Sequence, residues 1–92
     1  MIDLDAKIRS LVERNIPRKD IVSELDAIAS DAESRAKRFE RAKKKGDRYR
    51  AESERALSAR VRRILFFLHQ GGPARGATHA DLQLYDLLKT VQ

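Results

Sequence analysis

The side chains that most often carry out catalysis are scarce in this chain of 92 residues. It has two histidines, His69 and His79, and no cysteine, which excludes disulfides, cysteine-ligated zinc and thiol nucleophiles. His79 and Asp81 form at most a weak metal pair, because the spacing of zinc and iron motifs is missing. The serines have no neighbouring base that would activate them. We therefore expect no enzyme activity, no cofactor and no small-molecule substrate.

Positive charge is the feature of this sequence with the clearest chemical use. The chain has 20 Lys and Arg against 14 Asp and Glu, a formal net charge of +6. Residues 35–63 hold thirteen basic and four acidic side chains, so this segment is +9 and the rest of the chain is −3. Solubility is better achieved by interspersed charges of both signs. A field of one sign instead favours a polyanionic partner, whose binding releases counterions.

Six residues in this segment form the candidate nucleic-acid-binding site. They are Lys37, Arg38, Arg41, Lys44, Lys45 and Arg48. Four of them, at positions 38, 41, 45 and 48, are spaced three or four residues apart. They are predicted to form one ridge if the corner between the helices keeps all four on the same face. The other two lie on the next row. Such a ridge contacts phosphates without identifying bases, because the Asn and Gln residues that bind base edges are missing there.

Helix-end electrostatics explains only part of this charge. Cations in the last turn of a helix, such as Lys44 and Lys45, offset the negative end of the helix dipole. Arg48, Arg50 and Arg55 instead lie at or near a helix start, where positive charge is unfavourable, so we expect an external polyanion to account for them. A second candidate patch, nearer the core, consists of Arg60, Arg62 and Arg63.

The pattern of apolar residues and breakers predicts an all-α protein with four helices in a single domain, residues 1–92. A long antiparallel helical hairpin, at about residues 17–45 and 47–69, is flanked by an N-terminal helix at about 3–14 and a C-terminal helix at about 79–91. Asn15 is predicted to end the first helix in the left-handed conformation. Gly46 makes the corner of the hairpin, Asp47 is the predicted N-cap of the third helix, and Thr78 and Asp81 match a capping box.

A heptad pattern predicts coiled-coil-like packing within the hairpin. The predicted seam on the second helix is Ile21, Leu25, Ile28, Ala32, Arg35, Phe39 and Ala42. The adjacent row, which widens this stripe, is Val22, Ala29 and Ala36. The stripe on the third helix begins at Tyr49, Ser53 and Ala56 and then shifts sideways to Leu57, Val61, Ile64, Leu65 and Leu68. Alanines in a seam predict a close approach of the two helices. The pattern also places both aromatics near the corner, at positions 39 and 49, inside the seam.

Surplus apolar surface predicts a partner. Residues 64–68 are apolar on every side of their helix, and such a helix must be covered all round. We therefore expect a homo-oligomer, most simply a symmetric dimer. The candidate partner-binding residues are Phe66, Phe67, Leu84, Tyr85 and Leu88.

A helix-turn-helix over residues 4–25 is an alternative interpretation of the N-terminal part. The second helix of that unit would carry Asp20, Glu24 and Asp26, and these carboxylates repel phosphate. We favour a helix that covers the base of the hairpin.

The combined features predict a small basic accessory or regulatory protein that binds nucleic acid electrostatically through the hairpin tip. The alternative is a protein interaction module, an inhibitor, antiactivator or assembly adaptor of the kind phages and plasmids encode, which docks an acidic protein surface. The long hairpin resembles those of phage small terminase subunits, which implies a DNA-packaging adaptor compatible with both hypotheses. No apolar run has the length of a membrane span and the start lacks signal-peptide features, so we expect a cytoplasmic location and no membrane partner.

Overall fold

The computed structural model describes residues 2–42 and 44–92, and four helices make up most of them. The helices are α1 (Leu4–Glu13), α2 (Arg18–Ala42), α3 (Asp47–Gln70) and α4 (His79–Leu88). α2 and α3 pack along their length as a hairpin, and α1 and α4 share one hydrophobic core with its base, residues 18–29 and 61–70. The predicted all-α class and the long helical hairpin are confirmed.

The first corner follows the sequence signals. The Asp3 side chain caps α1 by accepting a hydrogen bond from the backbone N–H of Ala6 at 3.1 Å. Asn15 follows with φ 56°, a left-handed conformation that asparagine tolerates better than most residues. Pro17 then precedes α2, where its missing N–H removes no helical hydrogen bond.

Two helices end earlier than the sequence predicts. α2 ends at Ala42 instead of residue 45: Lys43 lies outside the described residues, and Lys44 and Lys45 lie in the connection. The backbone N–H of Asp47 donates to Lys44 O at 3.0 Å, and Gly46 takes φ 88°. Asp47 is the first residue of α3 and the N-cap position belongs to Gly46, without a side-chain cap. The prediction of Asp47 as N-cap is therefore wrong.

α4 stops at Leu88 because the following residues return to the start of α2. The backbone N–H of Arg18, the first residue of α2, donates to Gln92 O at 2.9 Å. The Arg18 guanidinium donates to Leu68 O at 2.9 Å, and so joins α2 to the last turns of α3. The backbone contact with Gln92 gives a partner to one of the N–H groups that a helix start leaves unsatisfied.

The hairpin seam contains only part of the predicted row. The fully buried residues of α2 are Ile21, Leu25, Ala29, Ala32 and Ala36. Ile21, Leu25 and Ala32 belong to the predicted row, Ala29 and Ala36 of the adjacent row replace positions 28 and 35, and positions 39 and 42 lie outside the seam. Ala51 and Ser58 occupy the corresponding positions on α3, at 5% and 4% exposure. Small side chains allow two helix backbones to approach closely, and larger ones are moved to the flanks.

A buried carboxylate connects the flanking helices to the hairpin. Asp81 has no exposed surface, and its two oxygens accept from Arg60 Nε at 3.0 Å and Arg63 Nε at 2.7 Å. Arg60 also reaches Asp5 of α1 at 2.8 Å. Asp81 belongs to the predicted capping box, which is confirmed: its Oδ2 accepts from the Thr78 N–H at 3.1 Å, and its own N–H donates to Thr78 Oγ1 at 3.2 Å. α1, α3 and α4 are thus joined through one ionic network.

The hydrogen bonds of Asp81 also determine its protonation. Burial by itself would raise the pKa of Asp81, but hydrogen bonds from Arg63, the Thr78 backbone and Arg60 outweigh burial and leave the pKa below its ordinary value. A carboxyl whose pKa is lower in the folded chain than in the unfolded chain contributes stability that is present above the unfolded pKa, about 3.9 for Asp.

The substitution Asp81→Asn should lower the free energy of unfolding by about 3–5 kcal/mol, because it leaves two arginines beside a neutral group. The measurement is urea unfolding followed by circular dichroism at pH 7. Asp86→Asn is the matched control: Asp86 pairs with Lys89 on the same helix, but its side chain is 76% exposed, so its unfolding midpoint should not change. The difference between the two variants should shrink as the pH falls below about 4, and a difference that persists at pH 2 would contradict this role.

Ala32→Leu tests the close approach of the two hairpin helices. The larger side chain has no space in the seam, and we expect a loss of about 1–3 kcal/mol in the free energy of unfolding. Ala27→Leu introduces the same side chain on the exposed face of α2 and should leave stability nearly unchanged. Equal effects from the two substitutions would mean that the seam is not closely packed.

Candidate functional site

Five exposed cations surround the closed end of the hairpin, the hairpin tip (residues 37–42 and 44–52). We call them the tip cations: Lys37, Arg38, Arg41, Lys44 and Lys45. The first three extend from α2 away from its buried alanines. They follow Ala36 by one, two and five residues, and at 3.6 residues per turn these positions do not face the seam. The other two lie in the connection. The local fold therefore directs all five into solvent.

The predicted continuous ridge does not extend past Arg41. It required the helix to run through Lys45 and the corner to preserve its face, but α2 ends at Ala42. Arg48 belongs to α3, which begins after a left-handed Gly46 and runs in the opposite direction. The positive charge is therefore spread over two helix ends and their connection instead of a single line.

Two of the arginines near the start of α3 have firm acidic partners within the chain. Arg55 donates from Nε and Nη2 to Glu40 Oε1 across the hairpin, at 3.1 and 2.8 Å. Arg50 Nη1 lies 3.3 Å from Asp47 Oδ1, and that carboxylate is 5% exposed. Carboxylates of the chain itself thus account for both arginines, so the expectation that they need an external polyanion is wrong.

Arg48 is paired much more weakly. Its Nε lies 3.5 Å from Glu52 Oε1, with side chains that are 95% and 67% exposed. An ion pair so exposed to water contributes little, and salt screens it further. Arg48 therefore stays in the candidate site beside the tip cations.

The second candidate patch is occupied by carboxylates of the chain itself. Two of its members, Arg60 and Arg63, hold Asp81. Arg62 donates to Asp26 Oδ1 at 2.7 Å and to Glu33 Oε1 at 3.1 Å. Hydrogen bonds from Arg62 and from the Ser58 hydroxyl lower the pKa of Glu33. This patch links helices and is not a free basic surface.

The tip cations differ from these arginines in having no acidic partner. Seven arginines of residues 35–63 form ion pairs within the chain. In residues 2–42 and 44–92, by contrast, no carboxylate lies within ion-pair distance of any tip cation. The carboxylate nearest to them in sequence, Glu40, is bound to Arg55. Positive charge is consequently left without neutralisation at this end of the molecule.

The heptad pattern predicts that the two aromatics of the tip lie in the seam. In the structure both lie outside it. Tyr49 is 75% exposed, because Ala51 takes the buried position in the first turns of α3. Phe39 is half-buried and lines an open cleft of about 630 Å³ whose wall includes Lys44, Arg48 and Ala51. The sequence carried one signal for this shift: Ala29 and Ala36 are smaller than Ile28 and Arg35, and Ala51 is smaller than Tyr49.

Four of the five candidate partner-binding residues lie inside the protein. Leu84, Tyr85 and Leu88 are at most 2% exposed and Phe67 is 8% exposed. The rings of Phe67 and Tyr85 stack on each other, with centroids 4.2 Å apart. α4 therefore covers the apolar run of α3 within one protomer, and the assignment of these four residues to a partner surface is wrong. Phe66 alone stays exposed, at 47%.

Other classes of site have little support in the part of the chain that the structure describes. No group of three His, Asp or Glu side chains there is arranged to hold a metal ion. None of the helices, over the residues described, combines the length and the apolar character of a membrane span. No family model matches the sequence, and neither a curated protein nor a solved structure matches it. Function must therefore be inferred from the chemistry of the tip.

If the tip cations are surplus to folding, their neutralisation should leave stability unchanged. The triple variant K37Q/R38Q/R41Q should unfold at the wild-type urea concentration, because no contact within the described residues is lost. Arg60→Gln removes the same charge from a partly buried residue and should cost about 1–3 kcal/mol, since it leaves Asp81 with one fewer hydrogen bond. Unfolding of the triple variant at markedly lower urea would show that these cations stabilise the fold.

Proposed function

We propose that this protein is a small basic accessory protein that binds nucleic acid electrostatically through the hairpin tip. The observation that carries the proposal is selective pairing. The chain supplies a carboxylate to each arginine at positions 35, 50, 55, 60, 62 and 63 and only a solvent-exposed one to Arg48, whereas within residues 2–42 and 44–92 it supplies none to the five tip cations. Exposed cations without internal partners are free to neutralise phosphates, and every phosphate contact adds to affinity through counterion release.

A protein partner is less well supported by this surface. Tight protein interfaces have a buried apolar or aromatic centre surrounded by polar groups. The residues proposed for that centre are used in the core, and Phe66 lies in the hairpin base, apart from the tip cations. An acidic protein would therefore meet the charge of the tip and the exposed ring of Tyr49, but none of the five residues predicted as its anchor.

Binding of this kind should be weakly selective for sequence. Direct recognition of bases in a duplex depends on Asn, Gln or Arg side chains that reach base edges in a groove. Residues 37–52 contain neither Asn nor Gln. The tip cations are long, flexible side chains, which suit the phosphate backbone that all sequences share. The proposed role is thus accessory, with specificity supplied by another factor.

Self-association stays a prediction of the sequence. Its original basis, the apolar run of α3, is largely covered by α4, and Phe66 is the main residue of that run that retains an exposed ring. The solution mass, with and without nucleic acid, measures the oligomeric state directly.

The charge-reversal variant K37E/R38E/R41E tests the proposed function. Wild-type protein should bind fluorescently labelled single strands and a 30-bp duplex in an anisotropy titration at low ionic strength. Log Kd should rise linearly with log salt concentration. We expect the variant to lose at least about tenfold in affinity and to show a smaller salt slope, by about 1 for each phosphate contact removed.

A second charge reversal controls for net charge. R9E/K19E/R75E changes three exposed cations outside the tip. In both variants three reversals remove two charges each, which brings the formal net charge from +6 to 0. The control should keep most of the wild-type affinity. Equal losses in both variants would assign binding to overall charge, and no binding by the wild-type protein even at low salt would reject a nucleic-acid function.

A further inference from the structure

The exposed ring of Tyr49 and, separately, a cleft lined by Phe39 and Arg48 point to the form of nucleic acid that fits the tip. We propose that the hairpin tip prefers single strands, and that Tyr49 provides the surface on which an unpaired base stacks. This inference rests on the proposed nucleic-acid function and adds to it the class of ligand.

The first support is the exposure of Tyr49 among cations. Its side chain is 75% exposed, whereas the other tyrosine, Tyr85, is 2% exposed within the core. Tyr49 directly follows Arg48, whose side chain is 95% exposed, and Lys45 lies four residues earlier. A ring with so little buried area contributes little to folding. An exposed aromatic face beside basic side chains is the combination that non-specific single-strand binders use.

The second support is the cleft at the tip. Its apolar surface comes from Phe39 and Ala51, and its rim carries Lys44, Arg48 and Arg55 together with the carboxylates of Glu40 and Glu52. Its volume of about 630 Å³ lies within the range of ligand sites, which is about 300–1,000 Å³. Arg55 and Arg48 are paired with Glu40 and Glu52 of the same rim, whereas Lys44 has no ion pair within the described residues. An apolar floor beside Lys44 matches a nucleotide, which has a planar apolar base and a charged phosphate. A duplex cannot offer this combination, because its bases are stacked inside.

The third support is the width of the tip. Two packed helices, each about 10 Å in diameter with axes about 8–10 Å apart, measure roughly 20 Å across. The major groove of B-form DNA is about 12 Å wide. The closed end of the hairpin therefore cannot enter the groove, and a duplex would touch only the cations at its phosphates. An unpaired strand bends freely enough to bring its bases to Tyr49.

An abasic strand separates stacking from charge. We would measure anisotropy with a 20-nucleotide oligo-dT, a strand of the same length and charge with abasic sites throughout, and a 20-bp duplex. Wild-type protein should bind oligo-dT about tenfold more tightly than the abasic strand, since stacking of one base is worth about that much. Tyr49→Ala should remove this difference and leave the salt slope and the duplex affinity unchanged.

Two further variants complete the test. Tyr49→Phe keeps an aromatic ring and should retain the preference for oligo-dT. Phe66→Ala removes an exposed aromatic of the same helix outside the tip and should have no effect.

Equal affinity for oligo-dT and the abasic strand, or a Tyr49→Ala variant that keeps the preference, would overturn this inference and leave the proposed function standing. Failure of all three ligands to bind would reject the proposed function itself. Tyr49-dependent binding of poly-glutamate as tight as that of oligo-dT would identify an acidic protein as the partner instead.

Discussion

The close contact of α2 with α3 through small side chains is the constraint on which the rest of the structure depends. Ala29, Ala32 and Ala36 have no exposed surface, and Ala51 and Ser58 oppose them from α3. Helices that approach this closely leave space only for alanine and serine between them. The seam thereby sets the rotation of each helix about its axis. That rotation moves Phe39 to the flank of α2 and Tyr49 into solvent.

The same rotation determines which charges meet. With the alanines facing inward, Glu40 of α2 lies beside Arg55 of α3, and Glu33 lies beside Arg62. At the base, Asp81 is enclosed by two arginines of α3 and fixes the position of α4. Glu33, Glu40 and Asp81 are thus committed to connections between helices. Because these acids are paired within the chain, its positive field is concentrated at the tip.

This division of the charges changes the physical basis of the functional proposal. The arginines at the start of α3 indicated a polyanionic partner because the sequence showed no acidic partner for them within the chain. The structure supplies such partners for Arg50 and Arg55. The unpartnered cations of α2 and the connection support the same conclusion on different grounds. The exposed tyrosine beside them introduces an aromatic surface where the heptad pattern predicts a buried one. The tip combines charge with stacking capacity, which a uniformly basic surface lacks.

The sequence alone specifies the helices and most of their ends. Asn15, Gly46 and the capping box of Thr78 and Asp81 act within a few residues of their own position, so their effect is readable without the fold. It also placed the positive charge near the corner of the hairpin. Only the tertiary structure decided which row of α2 faces α3, because two adjacent rows of apolar residues differ by less than a third of a helical turn. The pairing of each arginine, the burial of Phe67 and Tyr85 and the exposure of Tyr49 all follow from that choice. They depend on residues far apart in the sequence, such as Asp5 in α1 and Arg60 in α3, which are 55 positions apart, and local sequence patterns carry no information about such contacts.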